Sequence, residues 1–138
     1  VYNYITQQKA ATLARNLYSS NSNVESDLIN SYAWDTAIVF IQTFSGDVDY
    51  SKQTPLQTPL TTTGNAHDSN NNYDVRCNIY DMAGNVAEWS TETYTGSTSP
   101  CVDRGGNYRD SYRYTAGRYY STTSISITNI AFRSTLYL

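Results

Sequence analysis

The residues that could carry metal or redox chemistry are few: two cysteines, Cys77 and Cys101, and one histidine, His67. Structural zinc sites use four cysteine or histidine ligands, often in closely spaced pairs. Because the cysteines lie far apart in sequence and no second histidine is present, such a zinc site and a three-histidine metal centre are both excluded within this chain. The cysteines could form one disulfide or remain thiols, and the sequence leaves both alternatives open.

A second kind of chemistry is suggested by a segment rich in tyrosine and arginine. The thirteen residues from Tyr108 to Tyr120 hold five Tyr and three Arg, and a Ser/Thr-rich stretch follows from Ser121 to Thr128. Tyrosine offers a large, rigid contact area with a polar tip, arginine adds forked hydrogen bonding, and serine and threonine add adaptable polar contacts. Tyrosine is also favoured within sheets, but the interleaved charges and weak periodicity here favour a binding surface.

We therefore predict a ligand-binding segment over residues 107–128. Planar tyrosine faces suit sugar rings as well as protein epitopes, so the expected partner is a protein or a glycan on a cell surface. Single-stranded nucleic acid also stacks on tyrosine, but a formal net charge of −3 and a pI near 4.9 argue against it. The predicted ligand-binding residues are Asn107, Tyr108, Arg109, Asp110, Tyr112, Arg113, Tyr114, Arg118, Tyr119, Tyr120, Ser124, Ile125, Ile127 and Thr128.

Two helices are expected to precede this segment. Periodicity predicts one helix from Thr6, its N-cap, to Tyr18, and a second from the cap Asn30 to about Phe44, closed by Gly46. The apolar face of the second helix would comprise Ala33, Trp34, Ala37, Ile38 and Ile41.

Short strands are expected in the second half of the chain, after an irregular surface excursion over residues 45–74. Alternation predicts strands over Val75–Tyr80 and Asn85–Thr91 and one from Ile130 onward. The Gly105-Gly106 pair would permit a bulge or a close backbone approach. The fold class is therefore α+β, loop-rich, with a small antiparallel sheet. In the last strand Ile130, Phe132, Leu136 and Leu138 would share one face, and Ala131, Arg133, Thr135 and Tyr137 the other.

Length and composition indicate one domain over residues 1–138, which we expect to be the C-terminal part of a longer protein. No apolar run approaches the ~20 residues of a membrane span, so membrane insertion is not expected. Self-association into a homo-oligomer through residues 45–74 is compatible with their Asn/Thr-rich composition, since it would raise the avidity of a weak site.

Three stretches together resemble the formylglycine-generating-enzyme (sulfatase-modifying factor) family. They are Tyr80–Trp89, Arg104–Tyr108 and Ile130–Arg133, and Trp34-Asp35 on the second helix adds to them. The resemblance covers about residues 28–138 and implies a C-type-lectin-like fold. Catalytic members carry two metal-binding cysteines just after the Arg-Gly-Gly motif. The segment Arg109–Arg118 has none, so a non-catalytic domain is expected.

The tyrosine-rich replacement for that segment is similar to the variable proteins of diversity-generating retroelements, which share the lectin fold and end in a hypervariable ligand-binding segment. The resemblance implies a diversified segment over 107–128, displayed on a virion tail or a bacterial cell surface. A formylglycine-generating-type relative that has lost catalysis and a carbohydrate-binding lectin-like domain of fixed specificity are the alternatives. The fixed frame would comprise Arg104, Gly105, Gly106, Phe132, Arg133 and Leu136.

The family resemblance also implies a calcium site. Its ligands would be the carboxylates of Asp81 and Glu88 and the backbone carbonyls of Gly84 and Val86, with further oxygens completing the shell. Alternatively, the two carboxylates bond backbone amides around the Gly84 turn and need no metal. No cofactor is expected to be required. Arg104 and Arg133 are expected to pair internally with acids such as Asp103 or Glu88.

Overall fold

The computed structural model describes residues 2–20, 23–55 and 74–137 of the chain. Within these ranges the class is mixed α+β, as predicted, with two helices and several small sheets. The elements are α1 (Gln7–Asn16), β1 (Glu25–Leu28), α2 (Ser31–Ser45), a 3-10 turn (Tyr50–Lys52), β2 (Val75–Arg76), β3 (Ile79–Tyr80), β4 (Ala87–Thr93), β5 (Cys101–Arg104), β6 (Arg118–Ser121), β7 (Ile130–Phe132) and β8 (Ser134–Tyr137).

Both predicted helices form with the predicted caps. The Thr6 side chain accepts a hydrogen bond from the Lys9 N–H at the start of α1, and the Asn30 side chain accepts one from Ala33 at the start of α2. α2 ends at Gly46, whose φ of 78° is the left-handed conformation that glycine adopts without strain. The predicted apolar face of α2 is confirmed: Trp34, Ile38 and Ile41 are buried, with Ala33 and Ala37 packed beside them.

The main sheet has four strands in the order β6-β5-β4-β7. β4 pairs antiparallel with β5, and β5 with β6, but β4 and β7 run parallel, so the expectation of a purely antiparallel sheet is wrong. A second pair, β1 with β8, is antiparallel and brings the two ends of the described chain together. This mixed arrangement is consistent with the C-type-lectin-like fold that the resemblance implies.

The predicted strand over Val75–Tyr80 is wrong in detail, because it is a hairpin of two short strands. Cys77 and Asn78 form its turn with φ values of 51° and 62°, the left-handed pair that a tight hairpin turn requires. The predicted strand from Asn85 begins later, at Ala87, because Asn85 itself has a φ of 62°. The first four residues of that strand are all buried, so its side chains do not alternate between core and solvent there as the sequence pattern predicts.

The C-terminal run is also two strands rather than one. β7 joins the main sheet and β8 joins β1, with the break at Arg133. Because β7 is covered on both sides, Ile130 and Ala131 are both buried, whereas Leu136 in β8 is 51% exposed. The predicted two faces therefore do not persist through this run, and Leu138 lies outside the described residues.

Two apolar clusters form the core of the described chain. One packs α1 against the main sheet around Trp89, and the other packs α2 against the segment around Met82. Tyr50 belongs to the second cluster and is fully buried. The surface excursion predicted over residues 45–74 is therefore wrong around this residue, because the 3-10 turn returns to the core. The Thr61–Gly64 and Asn70–Asn72 runs and His67 lie outside the described residues.

The two cysteines are free thiols on separate elements, which decides between the two alternatives left open by the sequence. Cys77 is half-buried in the hairpin turn, and Cys101 is buried in β5, where burial raises the pKa of its thiol. Over the described ranges, neither helix is long and apolar enough to cross a bilayer.

Candidate functional site

The predicted binding segment starts just after β5 ends, where the chain leaves the main sheet. Gly105 has a φ of 80°, and a Cβ built there would lie 2.7 Å from the Met82 carbonyl oxygen and 2.8 Å from the Trp34 ring. A Cβ on Gly106 would overlap the carbonyl oxygen of Ala83. The glycine pair therefore provides the close backbone approach that the sequence predicted, and it fixes the direction in which the segment leaves the core.

Asn107 shapes the first turn of the segment. Its side chain is fully buried, and its Oδ1 accepts hydrogen bonds from the N–H groups of Arg109 (2.9 Å) and Asp110 (3.1 Å). Its amide donates to the Asp110 carboxylate at 2.8 Å. The N–H of Tyr108 donates to the Asn85 carbonyl at 2.9 Å, which ties the turn to the core. Asn107 was predicted to bind ligand, but in this arrangement it acts on the turn and is not accessible.

A buried ion pair lies beneath the middle of the segment. Asp103 on β5 is fully buried, and its carboxylate binds the Arg113 guanidinium and accepts a hydrogen bond from the Ser121 hydroxyl at 3.3 Å. Burial raises the pKa of Asp103, while the Arg113 charge opposes that rise. The Arg113 guanidinium lies 3.9 Å from the centroid of the Tyr119 ring, within cation–π range.

Three tyrosines of the segment present large side chains to solvent. Tyr112 is 66% exposed, Tyr114 is 50% exposed and Tyr120 is 53% exposed. Tyr94, which follows β4, packs on Tyr120 with ring centroids 5.3 Å apart and is 55% exposed. Sequence reasoning missed Tyr94 because it joins this surface only through the pairing of β4, β5 and β6. We refer to the four exposed rings of Tyr94, Tyr112, Tyr114 and Tyr120 together as the tyrosine surface; Tyr94 and Tyr120 contact each other, and Tyr112 and Tyr114 lie on the loop that follows Asn107.

The last part of the segment is divided between solvent and core. Ser124 is exposed, whereas Ile125 and Ile127 pack against the core cluster around Trp89. The Tyr108 hydroxyl donates to the Thr128 hydroxyl at 3.3 Å, and the Thr128 carbonyl accepts from the Asn3 amide at 2.7 Å. The sequence predicts that the two isoleucines bind ligand, but in the structure they pack against the core and hold the segment to it.

Arg118, at the start of β6, belongs to a charged network with α2 and β4. Its guanidinium binds Asp35 at 2.8 Å and Glu92 at 3.2 Å, and these acids together raise its pKa against the lowering effect of burial. Asp35 also binds the fully buried Arg104. Arg104 therefore pairs internally with an acid, as expected, but the acid is Asp35 on α2 rather than Asp103 or Glu88. A cleft of about 320 Å³ lies beside this network, lined by Asn30, Ser31, Tyr32, Thr91, Glu92 and Arg118.

The expected pairing of Arg133 with Glu88 is confirmed, and it bears on calcium. The Arg133 guanidinium binds both carboxylate oxygens of Glu88, at 2.5 and 2.8 Å. Asp81, the other predicted carboxylate ligand, accepts a hydrogen bond from Asn85 at 3.2 Å. A cation at Glu88 would compete with the Arg133 guanidinium for this carboxylate, and the calcium site stays a prediction.

The described residues contain no cluster of three or more His, Cys, Asp or Glu side chains placed to hold a metal ion. The described residues of the segment instead expose aromatic rings with polar tips. The segment itself is held by the Asp103–Arg113 ion pair, by the turn at Asn107 and by the packing of Ile125 and Ile127. Exposed aromatic area of this kind is suited to contact with another molecule.

Solved structures similar to this chain include CarF and a variable protein of Treponema denticola. CarF is 17% identical, with a TM-score of 0.70 over 97% of this chain and 66% of CarF. Variable protein 1 of Treponema denticola is 13% identical, with a TM-score of 0.58 over 96% of this chain and 69% of that protein. The chain thus spans about two thirds of the length of each, and at these identities the likeness shows the fold alone.

In sequence, none of the curated proteins matches this chain. The sulfatase-modifying factor enzyme 1-like domain, the FGE-sulfatase family, matches it from residue 7 to residue 136, which is nearly the whole chain. By that match, the chain belongs to the FGE-sulfatase family.

Proposed function

We propose that this protein is a non-catalytic receptor-binding domain whose tyrosine surface contacts a protein or a glycan on a cell surface. The observation that carries the proposal is the exposure of four tyrosine rings, each at least half exposed, two of which lie on a loop that buried polar contacts hold to the core. Exposed aromatic rings on a preorganised frame are typical of binding surfaces, where tyrosine and arginine contribute most of the binding free energy.

The absence of catalysis in this proposal rests on side-chain chemistry. Copper-dependent oxidation needs soft thiolate ligands, and the segment from Arg109 to Arg118 contains no cysteine. Cys101 is buried in β5 and Cys77 lies in the β2–β3 turn, on a different sheet. Neither thiol belongs to the segment that follows the Arg-Gly-Gly motif, so we propose that the family's scaffold is used here for binding.

We further propose that residues 107–128 are diversified by a retroelement and displayed on a virion tail or a bacterial cell surface. Support comes from the division of roles within the segment. Tyr112, Tyr114 and Tyr120 can change without opening the core, because their side chains are largely exposed, whereas Arg104, Gly105 and Gly106 contact the core and cannot.

Binding is tested with a labelled sample of the whole chain, applied to a panel of bacterial cells and to a glycan array. The triple variant Tyr112→Ala, Tyr114→Ala, Tyr120→Ala is expected to lose binding while its unfolding midpoint stays near that of the wild type. A matched variant, Tyr18→Ala, removes an exposed tyrosine that lies outside both the segment and the cleft beside Arg118, and it should bind normally. Equal binding by all three proteins would refute the tyrosine surface as the contact site.

Diversification is tested separately, by sequencing the 3′ end of the gene across its natural population. Substitutions concentrated between Asn107 and Thr128, at codons derived from adenine-rich ones, would support a retroelement. A uniform segment would leave a binding domain of fixed specificity. Loss of the diversification proposal would not affect the binding proposal, because the two experiments measure different properties.

A further inference from the structure

The predicted contact segment contains two residues, Arg113 and Tyr119, that the structure places between the tyrosine surface and the core. Only 11% of the Arg113 side chain is exposed, and the Asp103 side chain beneath it is fully buried. The Arg113 guanidinium lies over the Tyr119 ring, and the backbone of Gly117 comes so close to this ring that an added Cβ would overlap it.

These two side chains also reach the backbone that carries the exposed tyrosines. The Tyr119 hydroxyl accepts a hydrogen bond from the N–H of Tyr114 at 2.9 Å. The Arg113 Nε lies 3.5 Å from the Asp110 carboxylate, which itself accepts from Asn107. One connected set of polar contacts therefore runs from the buried carboxylate on β5 to both ends of the 107–114 loop.

We infer that Arg113 and Tyr119 are positioning residues: the Asp103–Arg113–Tyr119 cluster holds the loop that presents Tyr112 and Tyr114, and Arg113 does not contact the ligand. The inference deepens the proposed function and rests on it only for the identity of the surface presented. It divides the segment into supporting positions, which must keep their residue type, and presenting positions, which can vary. Arg113 was selected from sequence as a ligand contact, and this assignment replaces that role.

The chemistry of the cluster explains why arginine is needed at position 113. A planar guanidinium can bind a carboxylate with one edge while its face lies over an aromatic ring, and lysine cannot do both. The carboxylate of Asp103 is fully buried, so it requires a charged partner in this loop. Removing that partner leaves an uncompensated charge, and the loop is expected to leave its position to let water reach Asp103.

The test measures backbone hydrogen–deuterium exchange in the full chain, comparing residues 108–117 with residues of β4. In Arg113→Ala, exchange over 108–117 is expected to accelerate by about tenfold or more, while the buried amides of β4 change much less. Arg113→Lys should restore part of the protection, because its charge reaches Asp103 but does not cover the Tyr119 ring. Ser111→Ala is the control, since Ser111 is exposed in the same loop and belongs neither to the cluster nor to the predicted contacts, and it should leave exchange near the wild-type rate.

A double variant separates positioning from stability. Asp103→Leu with Arg113→Met removes both charges together, so no lone charge is buried and the urea midpoint is expected to stay near that of the wild type. Exchange over 108–117 should still be fast in this variant. The inference is overturned if exchange in 108–117 is unchanged in Arg113→Ala, or if protection in the double variant equals that of the wild type. Neither outcome depends on binding by the tyrosine surface, so each proposal can fail alone.

Discussion

The glycine that starts the binding segment gives a prediction whose size follows from the structure. Gly105 and Gly96 have nearly the same backbone, with φ values of 80° and 81°. Alanine in this left-handed conformation costs about 1–2 kcal/mol, and about 0.4–1 kcal/mol of that is recovered because alanine restricts the unfolded chain. Both terms are common to Gly105→Ala and Gly96→Ala.

The two positions differ in what the added methyl group meets. At Gly96 nothing lies within 4 Å, whereas at Gly105 the Met82 carbonyl oxygen lies 2.7 Å away and the Trp34 ring 2.8 Å away. Overpacking of this kind costs about 1–3 kcal/mol, because neither backbone nor a buried indole can move freely. Gly105→Ala is therefore expected to lose about 1–3 kcal/mol more of unfolding free energy than Gly96→Ala.

Urea unfolding followed by tryptophan fluorescence measures this difference, since Trp34 and Trp89 are both buried and report on the two core clusters. The comparison between variants removes the contribution of the backbone conformation. Equal losses, within about 0.5 kcal/mol, would show that Gly105 does not pack against α2 and that the segment leaves the core differently.

Three further predictions concern buried charges. Burial raises the pKa of Asp74 above 3.8. Its contribution to the free energy of unfolding is therefore largest at low pH and is lost as the pH rises through its folded pKa. In urea unfolding, the stability of Asp74→Asn should decline less with rising pH than that of the wild type. Arg133→Ala leaves the Glu88 carboxylate buried without its guanidinium and should cost about 3 kcal/mol in the same assay, of which Arg133→Lys recovers a part. Because Arg133 binds Glu88, millimolar calcium chloride should leave the melting temperature unchanged; a rise abolished by Asp81→Asn would instead establish the calcium site.

Local signals in the sequence were sufficient for the helices and for part of the predicted frame, although Leu136 of that frame is exposed. A cap, an apolar period and a terminal glycine act over a few residues, so Thr6, Asn30 and Gly46 could be assigned from their neighbours alone. The close backbone approach at Gly105-Gly106 was also predicted correctly, because glycine marks such positions. The Arg133–Glu88 contact was predicted correctly because a charge near a buried strand needs a partner.

Strand boundaries and partners were predicted less well, because they depend on residues distant in sequence. β1 was not predicted, since its four residues form a strand only against β8 at the other end of the chain. Ile130 and Ala131 are both buried in β7, and β8 leaves the main sheet to pair with β1, so the alternation predicted from Ile130 to Leu138 does not persist.

For the proposed site, composition predicts the segment and the kind of contact it can make, because tyrosine, arginine and serine bring their contact chemistry wherever they are exposed. It could not say which of them are exposed. Only the tertiary structure placed Asp103 beneath Arg113, brought Tyr94 to Tyr120 across three strands, and turned Ile125 and Ile127 inward. Exposure is a property of what packs against a side chain, and for this segment those partners come from strands and a core that lie elsewhere in the chain.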